Sequence, residues 1–170
     1  PMFGTMDDFE SLMATAKDNG IEIMLDMVFN HVSIEHEWFQ KALAGDQKYQ
    51  DYFILRDKPT DWVSKFGGNA WAPFGDTGKY YLHLYDVTQA DLNWRNPEVR
   101  EELFEVLRFW MDKGIKGFRF DVINVIGKDE VLIDCPENDG KPAYTDRPIA
   151  HEFIRMMNQA TYGEDAEIVT

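Results

Sequence analysis

The sequence predicts a parallel α/β sheet, either doubly wound or an eight-stranded barrel, on three observations. Helical and strand-like stretches follow one another as helix, strand, long insert, helix, strand, loop, helix, strand, an alternation that builds parallel sheets. The strand runs are apolar almost throughout, as in strands covered on both faces. The first two helices have N-capping residues at their starts and glycines just past their ends.

The first helix is expected over residues 5 to 19. Thr5 can cap it with Asp8 three residues on, Phe9, Leu12, Met13 and Ala16 share one face, and Gly20 ends it. "IEIMLDMVF" (21–29) follows as a buried strand with Asn30 and His31 at its end. A second helix begins at the Asn96 cap and Pro97, carries the stripe Val99, Leu103, Val106, Leu107 and Trp110, and stops at Gly114. The strand Ile115 to Val122 comes next. A third helix, Ile149 to Ala160, leads into "EIVT", which reads as a strand just starting. Three strands cannot close a barrel, and the chain opens at Pro1 without an initiator Met, so both ends are expected to be cut. The insert from His31 to about Arg95 is too long for an ordinary strand-to-helix loop. It holds four of the five tryptophans, Trp38, Trp62, Trp71 and Trp94, and a further strand in "KYYLHLYDV". It is expected to form a small subdomain over the carboxyl ends of the strands, with each tryptophan more a core residue than a ligand contact.

Composition narrows the partners. The 170 residues are 44% apolar and 14% aromatic, which supports a packed core. A formal charge of −14 argues against nucleic acid or an anionic membrane as partner. The single cysteine, Cys135, precludes an intrachain disulfide and fits a reducing compartment. With no signal peptide and no run long enough to span a bilayer, a cytoplasmic location is expected.

Chemistry is sought at the carboxyl ends of the strands. Two polar clusters lie there, "DMVFNH" (26–31) and "GFRFD" (117–121). Arg119 and Asp121 are two apart in a strand and so point to one side. They form either a buried structural ion pair, which is costly to desolvate, or a functional pair; Asn30 and His31 are either loop caps or ligands. A nearby cation favours the charged form of a carboxylate, which suits a nucleophile better than an acid. Retaining glycosidases need such a group and a protonated carboxyl about 5 Å away. No phosphate-binding glycine loop, Cys/His zinc set or calcium-binding loop is present, so no cofactor is expected.

With these residues in view, "DMVFNH" resembles the first conserved region of the alpha-amylase family (glycoside hydrolase family 13), and "GFRFDVIN" its second. "QADLNW" (89–94) resembles the motif near the end of that family's inserted domain B, with Ala90 where the oligo-1,6-glucosidase branch has Pro. "FGTMDDF", the block from "WVSKFGGNAW" to "NPEVR", and "DCPENDGKPAYTDRP" are similar to the trehalose-6-phosphate hydrolase branch. The resemblance implies a partial (β/α)8 TIM barrel with domain B inserted after the third strand. Residues 1–31 would supply helix 2 and strand 3, 32–95 domain B, and 96–170 helix 3, strand 4, helix 4 and the start of strand 5. It implies Asp121 as nucleophile, Arg119 as the group that orients it, and His31 as a hydrogen-bonding partner of the sugar in the −1 subsite. Val122 resembles the residue that accompanies α-1,6 or trehalose-type linkages. Asn30 is a calcium ligand in many amylases, but the glucosidase branch often lacks that ion, and no metal is expected. The family's general acid would lie just beyond Thr170, so the 170-residue chain is expected to be inactive alone. The substrate implied is a phosphorylated disaccharide, trehalose 6-phosphate, hydrolysed to glucose and glucose 6-phosphate. An oligo-1,6-glucosidase or another α-glucosidase is the alternative. A non-catalytic homologue is disfavoured because His31, Arg119 and Asp121 are all present. Lys141 and Arg147 are weak candidates for a phosphate contact.

Overall fold

The computed structural model describes residues 4–136 and 138–170. Pro1 to Phe3, at the head of the first expected barrel segment and of "FGTMDDF", and Glu137 within "DCPENDGKP" lie outside the described residues. Helix α1, Met6–Asp18, starts where expected. The Thr5 hydroxyl accepts from the Asp8 N–H at 3.3 Å, and the Thr5 N–H donates to the Asp8 carboxylate at 2.8 Å. Strand β1 is Met24–Val28 and the short β2 is His31–Ser33. The insert continues through α2 (Glu37–Leu43), α3 (Gln47–Gln50), β3 (Leu55–Arg56), β4 (Trp71–Pro73), β5 (Tyr80–Leu82) and β6 (Gln89–Asp91). Helix α4, Pro97–Asp112, is capped by Asn96, whose side chain accepts from the Glu98 N–H at 2.9 Å. Strand β7 is Gly117–Asp121, and α5 is Pro148–Ala160.

Strands β1 and β7 pair in parallel, with Asp26 opposite Arg119 and Val28 opposite Asp121. The expected strand at "EIVT" is reduced to one parallel bridge between Val169 and Gly117, because turns occupy most of residues 161–167. Residues of β1 alternate, with Met27 in the core and Met24, Asp26 and Val28 on the other face, the face that Arg119 and Asp121 share on the neighbouring β7. The strand expected through "KYYLHLYDV" ends at Leu82, because the Leu84 N–H leaves the ladder to bond the Asp91 carboxylate at 3.0 Å.

Two cores hold these parts. The larger packs β1 and β7 against α4 and α5 through Met27, Leu103, Phe104, Leu107, Phe118, Phe153 and Met157. Burial of each such side chain contributes about 1.5–3 kcal/mol. The smaller core joins Trp62, Trp71, Leu82 and Leu84 of the insert to Val125, Ala143 and Tyr144 from the loop after β7. Backbone groups of that loop lock the contact: the Trp62 indole N–H donates to the Ile133 carbonyl at 2.9 Å, and Arg56 to that of Leu132 at 2.5 Å. Trp62, Trp71 and Trp94 are buried, as core residues should be. Among the described residues no helix is long and apolar enough to cross a membrane.

Gly140 shows how tightly the loop is seated. Its φ is +84°, and a Cβ there would lie 2.3 Å from the Trp62 ring. Gly140→Ala should therefore lower the unfolding free energy by about 1–3 kcal/mol, measured by urea denaturation. A change within 0.5 kcal/mol would show that the loop docks loosely.

Candidate active site

Both strands deliver charge to one face. The Arg119 guanidinium reaches across the β1–β7 pair and donates to Asp26 Oδ2 at 2.6 Å and to Asp121 Oδ1 at 2.9 Å. Period-2 geometry explains the convergence: Arg119 and Asp121 share a face of β7, and parallel register sets Asp26 opposite the arginine. Arg119 thereby bridges two carboxylates, one from each strand. Asp26 was missed in the sequence as a partner, although a lone acid inside an apolar strand was the available signal.

Immediately after Asp121 the chain turns. Val122 sits at φ +50°, ψ +26°, in the left-handed region that a β-branched residue rarely adopts. Strain of this kind costs about 1–3 kcal/mol and persists where the surroundings impose it. Here Val122 packs against the smaller core, and its carbonyl accepts from the Val125 N–H at 3.2 Å. The turn ends β7 at Asp121 and sends the chain toward the insert.

His31 is set by the pairing of β2 with β6, which places it opposite Asp91. Its ring lies 5.4 Å from that of Tyr85. Beside it is a buried polar cluster that the sequence did not reveal. Lys128, 4% exposed, ion-pairs with the fully buried Asp91 at 2.8 Å and donates to the Asn30 side-chain carbonyl at 2.5 Å. The Asn30 amide N–H₂ in turn donates to Asp91 at 3.1 Å and lies 3.3 Å from His31 Nδ1. On the far side of the ring, Gln89 has its carbonyl engaged by the Asp86 N–H at 3.0 Å, which leaves its amide nitrogen 3.1 Å from His31 Nε2. Both ring nitrogens thus face donors, an arrangement with no acceptor for an imidazolium. Burial lowers the His31 pKa, with Lys128 acting in the same sense and Asp91 and Asp121 opposing it. Burial likewise lowers that of Lys128, against the pull of Asp91.

The other sequence candidates are engaged elsewhere. Lys141 pairs with Asp139 at 3.4 Å and Arg147 with Asp129 at 2.9 Å. No cluster of three or more metal-ligating side chains occurs among the described residues.

Two outcomes follow from this cluster. Lys128→Met strands the Asp91 carboxylate and should cost about 3–5 kcal/mol of unfolding free energy, partly restored by adding Asp91→Asn; urea titration of both variants measures it. Because His31 holds its proton less firmly folded than unfolded, the unfolded chain binds more protons over that interval. Its contribution to stability should be complete above pH 6.5 and fall away as the pH drops toward the lowered folded value. His31→Asn should flatten that part of the stability-against-pH curve.

The chain is similar to known proteins over nearly its whole length. A family model described as the alpha-amylase catalytic domain matches residues 1–170. The trehalose-6-phosphate hydrolase of Bacillus subtilis (strain 168) is 47% identical over 169 residues, which cover 95% of this chain and 30% of that protein. A glucan 1,6-alpha-glucosidase of Streptococcus pneumoniae serotype 4 is 44% identical over 172 residues, covering 99% of this chain and 30% of that protein. The crystal structure of Bacillus licheniformis trehalose-6-phosphate hydrolase superposes with a TM-score of 0.94 at 48% identity, covering 99% of this chain and 32% of that one. The chain thus spans 30% of the length of these curated relatives. Matched by the family model from end to end, the chain belongs to the alpha-amylase family, and its parallel strands are an arc of the (β/α)8 barrel.

Proposed function

We propose that this chain carries the nucleophile side of a retaining glycoside hydrolase that cleaves trehalose 6-phosphate to glucose and glucose 6-phosphate. The observation that carries the reading is the Arg119 guanidinium holding Asp26 and Asp121 together at the carboxyl ends of adjacent parallel strands. Asp121 is the nucleophile. With one oxygen bound to Arg119, the carboxylate is fixed in orientation, and its attack on the anomeric carbon forms a glucosyl ester as the leaving oxygen takes a proton from a second carboxyl. Water then cleaves the ester and regenerates Asp121. Asp26 anchors the other side of the guanidinium, which makes it a positioning residue and not the proton donor.

His31 is the hydrogen-bonding partner of the sugar in the −1 subsite; of the Asn30 and Gln89 amide nitrogens beside its ring, a neutral imidazole accepts from only one, which leaves the other ring nitrogen for the sugar. Val122, which follows the nucleophile, is read as bearing on the linkage accepted. Residues 32–95 are read as domain B, between barrel segments 1–31 and 96–170. Of the two substrate readings, trehalose 6-phosphate is favoured by the 47% identity to the Bacillus subtilis enzyme of that name. A glucan 1,6-alpha-glucosidase at 44% keeps the α-1,6 reading as the second.

The test uses the full-length protein. Hydrolysis of trehalose 6-phosphate should exceed that of isomaltose, and a preference for isomaltose would overturn the first reading in favour of the second. Asp121→Asn should lower kcat by roughly a thousandfold or more on either substrate while the protein still unfolds at its usual denaturant midpoint.

A further inference from the structure

A doubly charged phosphate needs a cation that is not already spent, and the charged nitrogens around this site are almost all committed. Arg119 lies between two carboxylates, Lys128 is buried on Asp91, and Lys141 and Arg147 have their own acids. Lys65 differs. Its side chain is exposed, and its Nζ meets neither a carboxylate nor a carbonyl among the described residues. Instead the ammonium lies 5.3 Å from the centre of the Tyr144 ring and 5.8 Å from that of Tyr85. Tyr85 is the ring packed against His31. One aromatic ring, that of Tyr85, therefore contacts both the ammonium and the proposed sugar-binding histidine.

The platform under Lys65 is firm. Its N–H donates to the Leu84 carbonyl at 2.8 Å, and the Ser64 hydroxyl donates to the Tyr85 carbonyl at 2.6 Å. Gly67 and Gly68, with φ of +92° and +79°, close the turn in a conformation that side chains resist. Beside the lysine, Phe66 is 71% exposed, with its ring 5.8 Å from that of Tyr85. A cation and an open aromatic face are thus offered together on one rigid turn. That pairing suits a sugar ring bearing an anion, whereas a neutral glucan would leave the ammonium unused.

We propose that Lys65, presented on the Ser64–Gly68 turn beside Tyr85, is the phosphate-recognising residue of this site. Its ammonium binds the 6-phosphate of a phosphorylated disaccharide whose other sugar lies against His31 and Asp121, with Phe66 flanking the phosphorylated ring. The inference rests on the trehalose 6-phosphate reading above and adds the residue that would select for the phosphate. On a chain of formal charge −14, an unpaired lysine at the mouth also supplies local attraction for an anion that the overall field repels.

The experiment compares the full-length protein with Lys65→Met and Lys65→Arg on trehalose 6-phosphate and on trehalose, with inorganic phosphate as a competitor. For trehalose 6-phosphate, Lys65→Met should raise KM and lower kcat/KM by roughly ten- to a hundredfold relative to trehalose, the usual range for a hydrogen bond to a charged group. Inhibition by inorganic phosphate should weaken in parallel, and Lys65→Arg should keep most of the selectivity. An unchanged ratio between the two substrates in Lys65→Met, with phosphate inhibition intact, would overturn the inference while leaving the substrate reading standing. Failure of the unsubstituted protein to hydrolyse trehalose 6-phosphate would instead refute the substrate reading, and this inference with it.

Discussion

Lys128, Asp91 and Asn30 form a buried ionic knot that ties together three stretches far apart in sequence. Asn30 follows β1, Asp91 ends the last strand of the insert, and Lys128 belongs to the loop after β7. Taking an ammonium and a carboxylate out of water costs several kcal/mol each, and only close pairing with further hydrogen bonds offsets that. Here the offset is nearly complete. Asp91 accepts from Lys128, from Asn30 and from the Leu84 N–H, so both carboxylate oxygens are bound. A hydrophobic substitute would fill the space but would not fix which groups meet. Because Asn30 adjoins His31 and Asp91 is paired with it across β2 and β6, the knot also fixes where the histidine stands.

From that point the site divides into two kinds of support. The Arg119 bridge spans one face of two strands, and strand register sets its geometry. The His31 side is the opposite case, a buried network in which each amide has one orientation available. On the proposed reading, chemistry on the first side and recognition on the second rest on different physics. Salt weakens the first more than the second.

Much of this was legible in the sequence, for local reasons. The capping box at Thr5, the Asn96–Pro97 start and the Gly114 stop are decided within a few residues, and the helices fall where those signals place them. Arg119 and Asp121 could be set on one face from strand periodicity alone, and "DMVFNH" with "GFRFD" pointed to the strand ends that the register then brought together. Long-range pairings stayed hidden. Lys128 in "IGKDE" reads as a surface lysine, since nothing nearby tells that Asp91 and Asn30 will enclose it. Lys65 is likewise ordinary until folding puts Tyr85 and Tyr144 beneath it.

The antiparallel pairing of His31–Ser33 with Gln89–Asp91 has one more consequence. The insert begins and ends at this zipped neck, while Phe39, Phe53, Phe74 and Tyr81 beyond it pack into the larger core and Trp62 and Trp71 into the smaller. Closing a flexible loop costs entropy that grows only slowly with its length. Turns beyond the neck that pack into neither core can thus gain or lose residues at small thermodynamic cost, while His31 stays in register with Asp91.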